Sequence, residues 1–202
     1  MISIPPTTPK SLKDPSNIQI RNALLSSSHM QPLNRYVKKL RETLGPTVFI
    51  PDFDPLDGGI DAEFIFLLEK PGPKTDKRNI GSGFISRDNN DETAKNIFNF
   101  MNAIGLDRNR TILWNTIPYW DGGRRFKADD VKYGIQLLDG IFALLPKKKA
   151  VILVGNQAQK AEKLIKHKNI KIFKSAHPSP ITRACNRSRW ESIPNEWSKI
   201  LS

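Results

Sequence analysis

The chain has 202 residues, 38% of them apolar, and a net charge of +12. That length suits one ordinary domain whose core needs neither disulfides nor a metal staple. The single cysteine, Cys185, excludes an internal disulfide and any site built from four cysteines, and no apolar run reaches the roughly 20 residues of a membrane span.

The surplus of positive charge suits a polyanionic partner, of which nucleic acid is the commonest. The first residues carry no apolar stretch of the secretory kind, so a cytoplasmic location is expected.

In chain order, residues 1–30 are rich in Pro, Ser, Thr and Asn and read as an extended arm, leaving 31–202 as a single α/β domain. Met30, Leu33, Val37 and Leu40 recur at helical spacing. The run from Ala62 to Leu68 has strand length. Ala94, Ile97, Phe98, Met101 and Ile104 mark a helix, with Asp91 as cap and Gly105 as stop. Thr111 to Thr116 reads as a second strand. Val131, Ile135, Leu138, Phe142 and Leu145 mark a long amphipathic helix closed by Pro146. Ala150 to Val154 is wholly apolar and reads as a central strand. A helix over Ala158, Ala161, Leu164 and Ile165 comes after Gly155, then a fourth strand over Asn169 to Phe173. Trp190, Ile193, Trp197 and Ile200 suggest one final helix, with Pro194 in its first turn.

Strands alternating with helices predict a three-layer α/β/α fold around a mainly parallel four-stranded sheet. In such sheets ligands bind beyond the carboxyl ends of the strands. The segments just past the strands are therefore informative: Glu69-Lys70-Pro71-Gly72-Pro73 after the first, Asn115-Thr116 at the end of the second, Gly155-Asn156-Gln157 after the third and His177-Pro178-Ser179-Pro180 after the fourth. Polar groups gather at one predicted edge, with no equivalent at the strand starts.

From about residue 60 to 183 this order of segments resembles the uracil-DNA glycosylase superfamily. LLEKPGP is similar to its first motif and HPSP to its second. GSGFIS, AIGLDRNRTILWN and VILVGNQA are similar in order and spacing to the thermostable iron–sulfur branch. The chain departs from that branch in lacking its four cysteines, so no cluster is expected. Lys70 stands where the best-known branch has Asp and the mismatch-directed single-strand-selective branch has Asn. Glu69 matches the Glu of the iron–sulfur branch, and Gly72 replaces the Tyr that excludes thymine.

The resemblance implies a monofunctional DNA glycosylase acting as a monomer on uracil or a similar deaminated base, with no metal and no cofactor. It would take the base out of the stack, break the N-glycosidic bond and leave an abasic site. His177 is then the donor to the departing base and Glu69 the carboxylate near the sugar. Asn115 pairs one acceptor and one donor with the uracil edge. Phe84 is expected to stack on the base, and Lys70, Pro71 and Gly72 to line it. Ser82, Ser179 and Arg183 are candidate phosphate contacts, and Ile181 a candidate wedge. Each has a plainer alternative: a loop-capping His, a turn Asn, a core Phe, a Glu paired with Lys70 or Lys74, a solvated arginine face. Lys70 could in principle attack the sugar as an amine. The rival functions are a catalytically inactive DNA or base binder of the same fold, and a small-molecule nucleotide hydrolase.

Overall fold

The computed structural model describes residues 8–165 and 169–202. Its centre is a four-stranded parallel sheet of β2 (Phe64–Leu68), β4 (Thr111–Asn115), β5 (Ala150–Val154) and β6 (Lys171–Ser175), in the order β4-β2-β5-β6. Every residue of β5 is buried and so is nearly all of β2, as interior strands covered on both faces require. A second, two-stranded parallel sheet pairs β1 (Asp52–Phe53) with β3 (Phe84–Ile85). It joins the core where Phe53 stacks on Trp114 of β4, the ring centroids 4.0 Å apart.

Helices cover both faces, giving the expected three layers. One layer holds α3 (Glu92–Ala103) with the short helices α8 (Arg187–Glu191) and α9 (Ile193–Ser198). Trp197 of α9 meets Phe66 of β2 edge-on at 5.0 Å, and Phe100 of α3 meets Trp190 at 4.7 Å. The other layer holds α2 (Gln31–Leu44) packed on α4 (Ala128–Ala143). Among the described residues no helix is long and apolar enough to cross a membrane.

The structure corrects the sequence reading in four places. Within the expected extended arm, Pro15–Leu24 forms α1, capped by Asp14, whose side chain accepts from the Ser16 amide; residues 1–7 lie outside the described residues. The helix expected behind Gly155 is two short pieces, α5 (Asn156–Gln159) and α6 (Glu162–Ile165). The fourth strand lies two residues later than expected, because Asn169 takes a left-handed turn with φ 49°. The final helix expected over Trp190 to Ile200 is broken into α8 and α9, and a further short helix, α7 (Pro180–Cys185), precedes them. Pro194 sits in the first turn of α9, since a proline has no amide to carry a helix through that point.

Helix α1 is held by charge. Arg21 is fully buried and donates through Nε to Asp54 Oδ1 at 2.9 Å and through Nη2 to Asp88. Arg108 bonds the same two carboxylates at 2.8 Å each, and Asp57 at 2.9 Å. Ser86 also donates to Asp54, and Arg87 bonds Thr111 at the start of β4. Burial alone would drive these carboxyls towards the neutral form. Arg108 and Arg21 reverse that at Asp54, whose pKa lies below its usual value.

Candidate active site

All four central strands run parallel, so their carboxyl ends share one edge. Beyond β2 and β4 the ladder continues for two more residues. The amides of Thr116 and Ile117 donate to the carbonyls of Leu68 and Glu69 at 2.8 and 2.9 Å, and Thr116 Oγ1 also donates to Glu69 at 2.8 Å. Glu69 is thereby fixed one strand spacing, about 4.8 Å, from the end of β4. Helix α4 braces the same point: Gly134 lies so close that an added Cβ would stand 1.9 Å from the Thr116 carbonyl oxygen.

Asn115 ends β4 at 3% exposure, and its Oδ1 is buried with no hydrogen-bond partner among the described residues. An orphaned buried acceptor costs about 1–3 kcal/mol. A ligand N–H reaching it would recover that cost.

His177 lies just past β6 and folds back over the end of β5. A Cβ added at Gly155 would lie 2.9 Å from His177 Cβ and 3.1 Å from Cδ2, and Gly155 itself takes φ +89°. Only glycine suits both demands. This return brings His177 one strand closer to Glu69 than β6 alone would. The strand it covers, β5, lies two strand spacings, roughly 10 Å, from β4, with β2 and Glu69 between them.

The loop carrying His177 is pinned on several sides. Ser175 Oγ accepts from Trp197 Nε1 at 2.8 Å, the Ala176 amide donates to Glu196 at 3.3 Å, and Asn96 of α3 donates to the Pro178 carbonyl at 2.8 Å. Burial pushes the His177 pKa down to about 4, so the ring is neutral at pH 7 and carries one N–H to donate. Burial raises the Glu69 carboxyl above its usual value, and Lys160, Lys70 and Arg124 draw it partly back.

The structure therefore brings Glu69, Asn115 and His177 to one edge. Pro71 is buried beside them, and an added Cβ at Gly72 would have nothing within 4 Å among the described residues. Other expected residues have different surroundings. Lys70 donates to Asp121 Oδ1 at 2.6 Å and lies 5.7 and 5.8 Å from the Tyr119 and Trp120 rings, with its side chain 4% exposed. Its ammonium is committed there rather than to a base. Phe84 is 1% exposed, so its ring shows no open face to solvent. Ser82, expected at a phosphate, is buried: its hydroxyl donates to Asn89 at 2.6 Å and accepts from the Phe84 amide at 3.1 Å, bracing that turn. Ser179 caps α7, accepting from the Thr182 amide at 3.2 Å. Ile181 is 72% exposed, and the exposed Arg183 sits over the Trp190 ring at 5.0 Å.

Two surface clefts lie away from this edge. One is formed by residues 12–18 and 74–82, and one by His29, Asp57 and Asn109; neither is lined by Glu69, Asn115 or His177. The site is defined by strand-end geometry and the Asn115 orphan. The sequence reading did not find Lys160 and Arg124 around Glu69, or Gln157, whose buried Oε1 also lacks a partner among the described residues. Only Gln157 had a local signal, its place in the segment just past β5.

A model of the uracil DNA glycosylase superfamily matches residues 56–199. The chain belongs to that superfamily. The matched region holds β2 and β4–β6 with every loop of the edge just described. No curated protein matches the chain. Membership in the uracil DNA glycosylase superfamily supports a glycosylase-like hydrolase that acts on DNA.

Proposed function

We propose that the protein releases uracil, or a similar deaminated pyrimidine, from DNA by hydrolysing its N-glycosidic bond. The observation that carries this reading is the convergence of three groups at one sheet edge: a buried amide with a vacant acceptor, a neutral imidazole and a carboxylate.

The target nucleotide leaves the stack to reach the edge. The Asn115 amide then meets uracil with Oδ1 accepting from N3–H and its NH₂ donating to O4. Cytosine presents the opposite polarity at both atoms and is rejected. As the bond to C1′ breaks, its electron pair leaves with the base and negative charge gathers on O2. His177 donates its N–H there while remaining neutral. Glu69 faces the positive sugar and holds the water whose oxygen bonds to C1′; the water's proton goes to the departing base. With Lys70 paired to Asp121, no amine attacks the sugar. Strand breaks therefore arise only after alkali.

The test is base release from oligonucleotides bearing uracil, hypoxanthine, xanthine or thymine mismatches, with alkali cleavage as readout. Release from the uracil strand is expected. Binding without release would favour a non-catalytic binder, and hydrolysis confined to free nucleotides would favour a small-molecule enzyme.

A further inference from the structure

Residues 8–55 precede the region that matches the superfamily. Part of them faces the loop after the first motif across a cleft of about 370 Å³. One wall is Leu12–Ile18 and the other is the 74–82 loop, with Asn90 beside them. Each wall supplies a lysine, Lys13 and Lys74, and among the described residues no carboxylate lines the cleft. Asp14, next to Lys13, is turned onto the Ser16 amide. Ile80 stands at the rim, 83% exposed. Among the described residues only Ile181, on the histidine loop, is a large apolar side chain of comparable exposure.

The cleft lies away from the candidate site, but the chain joins its walls to that site in two places. Its loop begins at Gly72 and is closed by the Ser82 and Gly83 amides donating to the Lys74 and Thr75 carbonyls at 2.9 and 3.1 Å. On the other side Asn90 leads into α3, whose Asn96 holds the Pro178 carbonyl. Asn96 sits four residues into α3 from Glu92, about 6 Å along the helix axis. Lys10 pairs with Glu92 of the same helix, tying the N-terminal segment to it.

We propose that this groove carries the DNA strand that leads away from the extruded nucleotide, with Lys13 and Lys74 facing its phosphates and Ile80 against a neighbouring base. Two cations without an intervening acid suit a phosphodiester, and an exposed apolar side chain at the rim suits an unstacked base. The proposal rests on the glycosylase reading for the origin of the strand, but binding alone tests it.

The experiment compares the full chain with the K13A/K74A variant and with K38A/K39A, which removes two exposed lysines of α2 for the same change in net charge. Affinity for a long single-stranded oligonucleotide is measured across a salt series. K13A/K74A is expected to flatten the slope of log K against log salt by about 1.4, two phosphates at about 0.7 each. K38A/K39A should leave the slope and base release unchanged. The I80S variant should weaken binding several-fold with no change of slope. Equal slopes in all three proteins, or equal losses in both double variants, would overturn the groove. A parent chain that releases no base overturns the glycosylase reading and leaves the salt slope to decide the groove. Base release with an unchanged slope overturns the groove alone.

Discussion

His177 and Asn115 do different work at the same edge, and single substitutions should separate them. His177 is neutral because burial holds its pKa near 4, and its value lies in one donor aimed where charge develops. Removing such a donor costs about 3–4 kcal/mol of transition-state stabilisation. His177→Ala should therefore slow single-turnover base release by a few hundred-fold while leaving oligonucleotide affinity nearly unchanged. Equal loss of affinity and rate would make the histidine a fold element instead. Asn115→Asp replaces the donor half of the amide with a second acceptor. Discrimination against cytosine should fall, and the ratio of release rates from uracil and cytosine strands measures it. Lys70 shows what a residue-by-residue reading misses. Its place in the first motif is plain in the sequence, but the Asp121 that takes its charge lies 51 residues away. No local pattern pointed to that pairing.

At the scale of elements, Gly155 and α1 each couple a short segment to something distant. Gly155 needs its φ of +89° and the absence of a Cβ, since His177 occupies that space. Gly155→Ala should cost about 1 kcal/mol or more in backbone strain. It should also push the imidazole off its position, so base release should drop further than stability does. Paired rate and urea-denaturation measurements decide this. Helix α1 hangs on Arg21. Arg21→Met leaves Asp88 to Arg108 and Asp54 to Arg108, Ser86 and the Leu56 amide, and breaking a buried ion pair costs about 3–5 kcal/mol. A variant as stable as the parent to urea would show that Arg108 and Ser86 suffice. Strands of the core were legible because runs such as AVILV and FIFLL can only be buried. Helix α1 was not, because its buried side is a charged residue whose partners lie 33 and 67 residues on. The broken C-terminal helices were misread for another reason. Trp190, Ile193 and Trp197 keep helical spacing across a break that packing on Phe66 and Phe100 tolerates.

The whole molecule ties its stability to the state of its candidate catalytic residue. The His177 pKa falls from about 6.5 in the unfolded chain to about 4 in the fold. Below pH 6.5 the unfolded state binds a proton that the folded state refuses, so stability declines with acid. The sign comes from the depressed value: this contribution is complete above pH 6.5 and is lost as the pH falls towards 4. Its upper limit is about 3 kcal/mol, from 1.36 kcal/mol per unit. His177→Gln removes the titration while keeping a polar side chain of similar size. Urea midpoints for parent and variant at pH 7.5, 5.5 and 4.5 should therefore shift in the variant's favour as the pH drops. The other titrating carboxylates act on both proteins alike and cancel in the difference. Parallel curves would mean that the imidazole is protonated equally in both states, and the neutral donor invoked for base release would then be lost along with the pH dependence.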